Sequence, residues 1–406
     1  MTPASEALRP RRIDQAASRC LAMTVAIGLA LSMPMARAAD CPPTPWPLWE
    51  AFAKRFVQAD GRVVNFDSKQ QESISEGQAY ALFFALVAND RNLFERLLSW
   101  TRDNLAGGDL TDKLPAWQWG RTSQGKWDVL DANSAADADL WLAYTLIEAG
   151  HLWNHAQYRA LGRSIEAQIV RRETVRIPGL GWMVLPGERG FRLEGGVWRL
   201  NPSYLPLPVL RRLALENPTG PWHEITAASV KLLRATGSAQ VAPDWVAWRE
   251  GTGFIVDPEK GDTGSFDAIR VYLWAGMTNA SDPLRKPILD ALAGMQRAVV
   301  ERLTPPEKFH PLASRMEGTG PVGFSAALIP FLAARRQPQL AARQERRVIA
   351  LLGAVPAPES LRYYDTALAL FGTGWAQHRF RFDRQGRLIP QWRQSCDSGK
   401  NMSSQR

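Results

Sequence analysis

The chain has 406 residues, of which 45% are hydrophobic and 22% are charged, and its formal net charge is +9. This length and apolar content suffice for one large core or two ordinary cores and exclude a largely disordered chain. No Lys/Arg-rich block or basic–aromatic alternation occurs, so we expect no nucleic-acid partner and assign the positive charge to the solvated surface. We also expect no metal and no cofactor, because the sequence has neither a Gly-rich phosphate loop nor a complete set of metal ligands.

Residues 1–38 have the layout of a cleaved export signal. An Arg-rich flank precedes an apolar run over residues 21–33, and residues 36–38 offer small side chains for cleavage. The run is shorter than the roughly 20 residues that span a bilayer, so a cleaved signal is favoured over a transmembrane anchor. We therefore expect a periplasmic or secreted protein with no membrane anchor after cleavage. Arg11-Arg12 alone leaves the choice between Sec and twin-arginine export open.

Residues 39–396 are expected to form a single domain, and residues 397–406 a disordered tail. Two cysteines remain after cleavage, Cys41 and Cys396, one near each end of the mature chain. Because an exported destination is oxidising, a disulfide between them is predicted. Two free thiols remain the alternative, since the sequence alone does not place the sulfur atoms within bonding distance.

Apolar segments with polar starts recur along the chain and predict an all-α fold. They cover residues 76–89, 137–150, 201–213, 265–277, 323–334 and 363–371. The first five follow one another at intervals of about sixty residues, which predicts one helical hairpin per repeat.

Two kinds of helix are expected in this array. Residues 79–87 are apolar on all sides, as in an inner helix, whereas residues 91–104 have apolar side chains at helical period with charges elsewhere, as in an outer helix. These patterns together predict a double ring of helices. Residues 105–133 and 174–200 are rich in Gly, Pro and Trp and are predicted to form long loops with short strands or hairpins.

Three of the predicted inner helices begin with an acid: Glu76, Asp137 and Asp267. Ser75 and Ser134 are expected to cap the first two of these helices. Taken alone, Glu76 could simply complement the helix dipole. Three carboxylates at matching helix starts would converge on one rim, however. Paired carboxylates, one protonated and the other ionised, are what glycosidic-bond hydrolysis requires.

Aromatic residues provide candidate sugar subsites, because the chain has 16 Trp and several lie in the long loops or beside the acids. The candidates are Tyr80, Trp117, Trp119, Tyr204, Tyr363 and Tyr364. Packing in the core explains each of them equally well, since large aromatic side chains are usually buried for their area. Trp119 and Tyr204 are the strongest candidates for contact with a sugar ring.

Residues 135–153 resemble the signature of glycoside hydrolase family 8. Ala136, Leu142 and Thr145 depart from that signature only at the scale of packing. Further similarity extends over nearly the whole mature chain, in the segments Ser-Glu-Gly-Gln-Ala-Tyr, Leu-Pro-Ala-Trp-Gln-Trp-Gly, Asn-Pro-Ser-Tyr-Leu-Pro, Ser-Phe-Asp-Ala-Ile-Arg-Val-Tyr and Gln-His-Arg-Phe-Arg-Phe. The resemblance implies an (α/α)6 barrel of six inner and six outer helices, with the cleft across the N-terminal rim of the inner helices.

The resemblance also implies residue roles in an inverting endo-β-1,4-glucanase that acts on cellulose or soluble glucan. Glu76 would be the general acid, Asp267 the general base, and Asp137 the residue that holds the central sugar ring. Arg270, which lies three residues after Asp267 and so on the same side of the helix, would orient the base. Phe266 stands where relatives usually have Tyr, and we expect the lost hydroxyl to reduce the rate.

Within the family the similarity is greatest to periplasmic members encoded with bacterial cellulose synthase. This implies an accessory role in cellulose synthesis, with a β-1,4-glucan as substrate and the cellulose synthase machinery as a further partner. Two alternatives stay open. The first is a chitosanase or xylanase of the same fold. The second is a non-catalytic glucan-binding accessory, against which the three intact acids argue.

Overall fold

The fold is described from a computed structural model, which covers residue 41 and residues 43–235, 239–353 and 357–394. The predicted signal (1–38), the predicted tail (397–406) and Cys396 lie outside the described residues. Cys41 is disulfide-bonded. Its pairing with Cys396 stays a prediction. No helix within the described ranges is both long enough and apolar enough to span a membrane.

The described residues form α-helices that alternate between an outer and an inner layer. In chain order they are α1 (Pro47–Phe56), α2 (Ser75–Ala88), α3 (Arg91–Trp100), α4 (Ala136–Leu152), α5 (Ala156–Arg172), α6 (Leu207–Glu216), α7 (Trp222–Arg234), α8 (Ala268–Met277), α9 (Arg285–Ala291), α10 (Ala293–Arg302), α11 (Val322–Ala334), α12 (Pro338–Leu352) and α13 (Tyr363–Ala376). Helices α2, α4, α6, α8, α11 and α13 are the inner six. The outer six are α1, α3, α5, α7, the broken pair α9 and α10, and α12.

The inner helices close into a ring, because each one packs against the next in the order α2, α4, α6, α8, α11 and α13. Contact between the rings of Phe84 on α2 and Phe371 on α13, whose centroids are 4.7 Å apart, completes the circle. The predicted all-α double ring, an (α/α)6 barrel, is confirmed.

Aromatic side chains fill the centre of the barrel. Phe83 on α2 lies 4.9 Å from Trp141 on α4 and 5.4 Å from Phe371, and Trp274 on α8 lies 5.3 Å from Trp141. These side chains are almost completely buried. Each fully buried aromatic side chain stabilises the fold by roughly 1.5–3 kcal/mol relative to exposure, which explains why the inner helices have no polar face.

The sixty-residue repeat is interrupted where residues 201–213 were predicted to form one helix. A short 3-10 helix, Pro202–Tyr204, comes first, and α6 begins only at Leu207. Pro206 explains the break, because proline lacks an N–H group and disfavours helical backbone in the residue before it. The prediction of one continuous helix was wrong.

The predicted helix caps were also wrong. Helix α2 has Ile74 as its N-cap residue, and Ser75 is the first helical residue, because its backbone N–H donates to Trp117 O at 2.9 Å. Helix α4 begins after Ala135, and the hydroxyl of Ser134 instead donates to Glu173. In both cases the long loops use the serine for tertiary contacts.

Short antiparallel strands occupy the loops between the helices and the segment after α13. They are β1 (Ser73–Ile74), β2 (Gln118–Arg121), β3 (Trp127–Asp131), β4 (Thr174–Ile177), β5 (Gly181–Val184), β6 (Arg192–Leu193), β7 (Val197–Leu200), β8 (Val246–Arg249), β9 (Gly253–Val256), β10 (Lys308–His310), β11 (Arg315–Glu317), β12 (Phe380–Phe382) and β13 (Leu388–Pro390). Strands β1 to β3 form one sheet and β6 to β9 another. The strands predicted within residues 105–133 and 174–200 are therefore present.

Candidate active site

The three acids predicted from helix starts lie at the same rim of the barrel. Glu76 is in the first turn of α2, Asp137 is in the first turn of α4, and Asp267 immediately precedes α8. Arg270 on α8 joins two of them. Its Nη1 lies 2.6 Å from Asp137 Oδ2, and its Nη2 lies 2.8 Å from Asp267 Oδ1. The closed ring thus brings residues that are far apart in sequence onto one guanidinium group.

Glu76 has an apolar setting and only neutral hydrogen-bond donors. Trp117 Nε1 donates to its Oε1 at 3.2 Å, and Ser75 Oγ donates to its Oε2 at 3.3 Å. Burial raises the pKa of Glu76 to about 8, with a further increase from the charge of Asp137, while Arg270 and the hydrogen bond from Trp117 oppose the shift. Glu76 is therefore protonated at neutral pH and able to donate a proton.

Asp267 has the opposite environment, because three N–H groups converge on its carboxylate. Besides Arg270 Nη2, both Asn201 Nδ2 and Trp245 Nε1 donate to Oδ2 at 3.1 Å. Its side chain keeps 32% of its exposure, so water can reach it. A carboxylate held as an acceptor beside accessible solvent can serve as a base toward a water molecule.

Asn201 and Trp245 were not predicted from the sequence as hydrogen-bond donors to Asp267. Asn201 belongs to the Asn-Pro-Ser-Tyr segment, which drew attention only through its tyrosine. Trp245 comes just before β8 and carries no sequence signal of its own. Its indole is fixed from outside the site, because it stacks on the ring of Phe191 at 5.9 Å and lies 5.0 Å from the guanidinium carbon of Arg199.

A third residue that was not predicted from the sequence, Asp244, holds the backbone at the start of α8. Its Oδ1 accepts from the backbone N–H groups of Ser265 and Ala268, both at 2.7 Å. Burial raises the pKa of Asp244 to about 6, and the nearby charge of Asp267 adds to the shift. Because α8 receives no cap from its own preceding side chain, this carboxylate from another loop fixes the position of Asp267.

Asp137 is the most deeply placed of the three acids, with 1% of its surface exposed. Its Oδ1 accepts from the N–H of Ala138 at 2.9 Å, and Arg270 occupies the other oxygen. Burial raises the pKa of Asp137, while Arg270 opposes the shift. Arg270 also donates to Tyr80 Oη at 3.1 Å, so the guanidinium links two acids and a phenol in one buried network.

Comparison with known proteins relates this arrangement to a family. Residues 17–378 match the model of the family described as Glycosyl hydrolases family 8. The chain belongs to that family. It is 50% identical to an endoglucanase of Xanthomonas axonopodis pv. citri over 90% of this chain and 94% of the relative. It is 43% identical to an endoglucanase of Escherichia coli K12 over 86% and 92%, respectively.

Among solved structures, the endo-1,4-D-glucanase from Vibrio fischeri ES114 is similar over the whole barrel. The TM-score is 0.82 at 42% identity, and the alignment covers 86% of this chain and 99% of that chain. As a family 8 member the chain is a glycoside hydrolase, and the resemblance found in its sequence is confirmed.

Several predicted aromatic residues lie beside the acids of this family 8 site. Trp117 contacts Glu76 and is 38% exposed, so one face is open to a ligand. The ring of Tyr204 lies 5.5 Å from the guanidinium carbon of Arg270. Tyr364 Oη donates to the carbonyl oxygen of Phe266 at 2.6 Å. Their roles as sugar subsites stay predictions.

Trp119 lies apart from the acids, whereas Tyr363 lies close to Glu76 but is buried. Trp119 stacks on Trp127 at 5.4 Å, with the guanidinium of Arg62 4.4 Å from its ring, and the contacts that the structure gives for it include none with the acids. Tyr363 is buried, and its ring packs 5.6 Å from that of Phe56. Of the two candidates favoured from sequence, only Tyr204 lies beside the three acids.

Phe266, where relatives usually have Tyr, presents its ring to solvent immediately before Asp267. It is 47% exposed and packs edge-on against Phe324 at 5.1 Å. A hydroxyl group could therefore be added to the ring without entering the core.

Proposed function

We propose that the chain is an endo-β-1,4-glucanase that hydrolyses cellulose or soluble β-1,4-glucan with inversion at the anomeric carbon. The observation that carries this proposal is the contrast between two carboxyl groups at one rim. Glu76 is protonated by its apolar setting, and Asp267 accepts three N–H donors. Relatives of 43–50% identity that are named endoglucanases support the choice of substrate.

In the proposed reaction Glu76 transfers its proton to the oxygen of the glycosidic bond as that bond breaks. Asp267 takes a proton from a water molecule that attacks the anomeric carbon from the opposite face, through an oxocarbenium-like transition state. The reaction leaves Glu76 ionised, Asp267 protonated and the product with inverted configuration. Exchange with solvent then restores both groups. An inverting enzyme needs roughly 6.5–9.5 Å between the two carboxyl groups to admit this water.

Asp137 and Arg270 support the two reacting groups in this proposal. Arg270 holds Asp267 at 2.8 Å and therefore fixes the direction in which the base faces the water. Asp137 is proposed to hold the central sugar ring in a distorted shape, and its negative charge also helps to keep Glu76 protonated. Tyr80, which accepts a hydrogen bond from Arg270, and Tyr204 are proposed to line the same subsite.

The substrate is tested by measuring reducing-sugar release from carboxymethylcellulose, xylan and chitosan side by side. We expect hydrolysis of the cellulose derivative to exceed that of the other two by at least about tenfold. Preference for xylan or chitosan would contradict the glucanase assignment while keeping the hydrolytic one. No release from any of them would favour a non-catalytic glucan-binding accessory.

The stereochemical outcome is tested separately by proton NMR of the first product formed from a soluble cello-oligosaccharide. Inversion of a β-linkage gives the α-anomer before mutarotation. The β-anomer as first product would require a covalent intermediate and would contradict the roles of Glu76 and Asp267.

We further propose that the mature protein is periplasmic or secreted and acts as an accessory to bacterial cellulose synthesis. The apolar run at residues 21–33 and the small residues at 36–38 support export. Mass spectrometry of the protein recovered from the periplasm or medium is expected to show a chain that begins at Ala39. Recovery of the uncleaved chain in the membrane fraction would contradict export by a cleaved signal.

A further inference from the structure

Two buried carboxyl groups behind the site have no part in the proposed reaction. Asp139 lies on α4, two residues after Asp137, and Glu173 follows the last residue of α5. Each has 0% of its surface exposed. Acids this deep in a protein are rare unless a cation, a set of N–H donors or a proton compensates the charge.

Neither carboxyl group forms an ion pair with a cationic side chain among the described residues. Among the described residues no N–H or O–H donor reaches Asp139 Oδ1, Asp139 Oδ2 or Glu173 Oε2, with the two acids treated as ionised. Glu173 Oε1 accepts from Ser134 Oγ. The two carboxyl groups lie within hydrogen-bonding reach of each other, so a bond between them forms if one of them carries a proton. Since a carboxylate has no hydrogen to donate, such a bond requires that the pair hold at least one proton.

The charged groups with the largest effect on the pair are acidic. They are Glu76 from α2, Asp137 from α4 and Glu188 from the loop after β5. Two positive charges border this group of acids, and both are already paired: Arg270 with Asp137 and Asp267, and Arg172 with Glu188 at 3.4 Å. Burial raises the pKa of Asp139 well above its ordinary value, and it raises that of Glu173 to about 8 against the hydrogen bonds from Ser134 and Asp139.

The pair also lies at a junction of three chain segments. The N–H of Leu185 donates to Glu173 O at 2.7 Å, and the N–H of Ala136 donates to Pro186 O at 3.0 Å. The N–H of Glu188 donates to Ser134 Oγ at 3.1 Å, and Ser134 in turn donates to Glu173. The end of α5, the loop at residues 185–188 and the first turn of α4 are thereby tied together, and that first turn carries Asp137.

We propose that Asp139 and Glu173 are a proton-sharing pair that positions Asp137. The shared proton ties the first turn of α4 to the end of α5. It also keeps an additional negative charge away from Asp137 and Glu76. The pair touches no substrate and acts only through these neighbours. This inference rests on the proposed function insofar as it concerns the roles of Asp137 and Glu76 in hydrolysis.

The pH profile of kcat/KM distinguishes a shared proton from simple packing. In the wild-type protein both Glu76 and the pair lose protons on the alkaline side, so we expect log(kcat/KM) to fall with a slope approaching about −2. In Asp139→Asn the amide donates permanently to an ionised Glu173, and the slope should approach about −1. An Asp139→Asn profile as steep as that of the wild type would overturn the proposal.

Two variants of Asp139 distinguish positioning of Asp137 by the hydrogen bond from simple filling of space by the side chain. Asp139→Leu keeps the volume but loses the hydrogen bond, and we expect kcat to fall about tenfold to a hundredfold, because Asp137 is displaced. Asp139→Asn should keep kcat within a few-fold of the wild type and so rescue the leucine variant. Equal kcat values for the two variants would contradict positioning by the hydrogen bond.

A measurement that needs no activity tests the proton itself. At pH 7 unfolding transfers these carboxyl groups to water, where they ionise, so the wild-type protein should release protons on unfolding. Asp139→Asn and Glu173→Gln should each release about one proton fewer, as measured by calorimetric unfolding in buffers of different ionisation enthalpy. Unchanged proton release in both variants would overturn the shared proton, whatever the substrate. Failure of the wild type to hydrolyse any glucan would instead overturn the proposed function and leave the proton count valid.

Discussion

Glu76 and Asp267 occupy equivalent places, each at the start of an inner helix on the same rim, yet their surroundings differ in every respect that affects charge. Glu76 receives hydrogen bonds from an indole and a hydroxyl, with no cation among its direct contacts in the described residues. Asp267 accepts hydrogen bonds from an Arg guanidinium, a side-chain amide and an indole N–H. One carboxyl group is thereby kept protonated, while the other is held as a hydrogen-bond acceptor.

The barrel therefore supplies the place of each acid, and the side chains around it decide its protonation state. All inner helices direct their N-termini to the rim, so their helix dipoles act alike on an acid placed there. What separates the two acids is their neighbouring side chains: Arg270, three residues after Asp267 on α8, and Asn201 and Trp245, which reach in from loops. In the proposed reaction, the opposed environments allow the two carboxyl groups to act as acid and base at one pH.

Removing either carboxylate should have the largest effect. We expect Glu76→Gln and Asp267→Asn each to lower kcat on carboxymethylcellulose by about a thousandfold, within the range of general acid or base catalysis. Circular dichroism should show an unchanged fold. Retention of more than a few per cent of wild-type activity by Glu76→Gln would remove Glu76 from the acid role.

Replacing Arg270, which binds both Asp137 and Asp267, should affect stability as well as rate. Arg270→Met leaves Asp137 buried without its counter-ion, and we expect the free energy of unfolding to fall by about 3–5 kcal/mol in urea titrations. Arg270→Lys keeps the positive charge, but a single ammonium group cannot bind both acids as the two nitrogens of the guanidinium do. Activity should therefore fall, with a smaller loss of stability than in Arg270→Met. Equal stability of the methionine variant and the wild type would contradict the buried ion pair.

Stability should also depend on pH through Glu76. The folded protein keeps this group protonated up to about pH 8, whereas the unfolded chain ionises it near 4.5. Between these values the folded state holds the additional proton, so stability falls as pH rises through this window. The unfolding free energy of Glu76→Gln should therefore decline less steeply from about pH 5 to pH 8. Parallel curves for the two proteins would contradict the raised pKa.

The two Trp residues on either side of Gln118 offer a matched pair of variants. The hydrogen bond from Trp117 lowers the pKa of Glu76, so Trp117→Phe should raise it and move the alkaline limb of kcat/KM to higher pH. Trp119→Phe is the control, because Trp119 packs on Trp127 instead of Glu76. A limb that moves equally in both variants would show that the indole of Trp117 has no specific effect.

The smallest expected effect concerns the water position beside the base. Phe266→Tyr adds a hydroxyl next to Asp267 on a ring that is 47% exposed. One hydrogen bond contributes about 0.5–1.5 kcal/mol, so kcat should rise by a few-fold up to about tenfold. Thermal unfolding should be unchanged. A lower kcat would show that the phenyl ring suits this site better than the phenol.

The sequence predicted the parts of the molecule that depend on local pattern. Residues 79–87 are apolar on all sides, and this alone placed α2 in the inner layer. The acids at helix starts followed from the same pattern. Ser75 and Ser134 were predicted as caps and are not, because a cap depends on where the helix starts. Here two hydrogen bonds, from Ser75 N–H to Trp117 O and from Ser134 Oγ to Glu173, decide where the two helices start.

The rest of the site depends on loops that no local pattern relates to it. Asn201, Asp244 and Trp245 reach Asp267 or its helix only because the strands around them fold over the rim. Trp119 was favoured as a sugar subsite because it is one of the Trp residues in the predicted long loops. A bulge between Gln118 and Trp119 shifts the strand register there. Trp119 packs on the ring of Trp127 and not beside the acids.

The acid and base assignments are tested most directly by leaving-group dependence. Glu76→Gln and Asp267→Asn are assayed on a cello-oligosaccharide and on its aryl glycoside, whose acidic leaving group needs no proton. Glu76→Gln should regain much of its rate on the aryl glycoside, whereas Asp267→Asn should stay inactive on both substrates. Recovery by Asp267→Asn, or none by Glu76→Gln, would contradict the assignment of the two carboxylates.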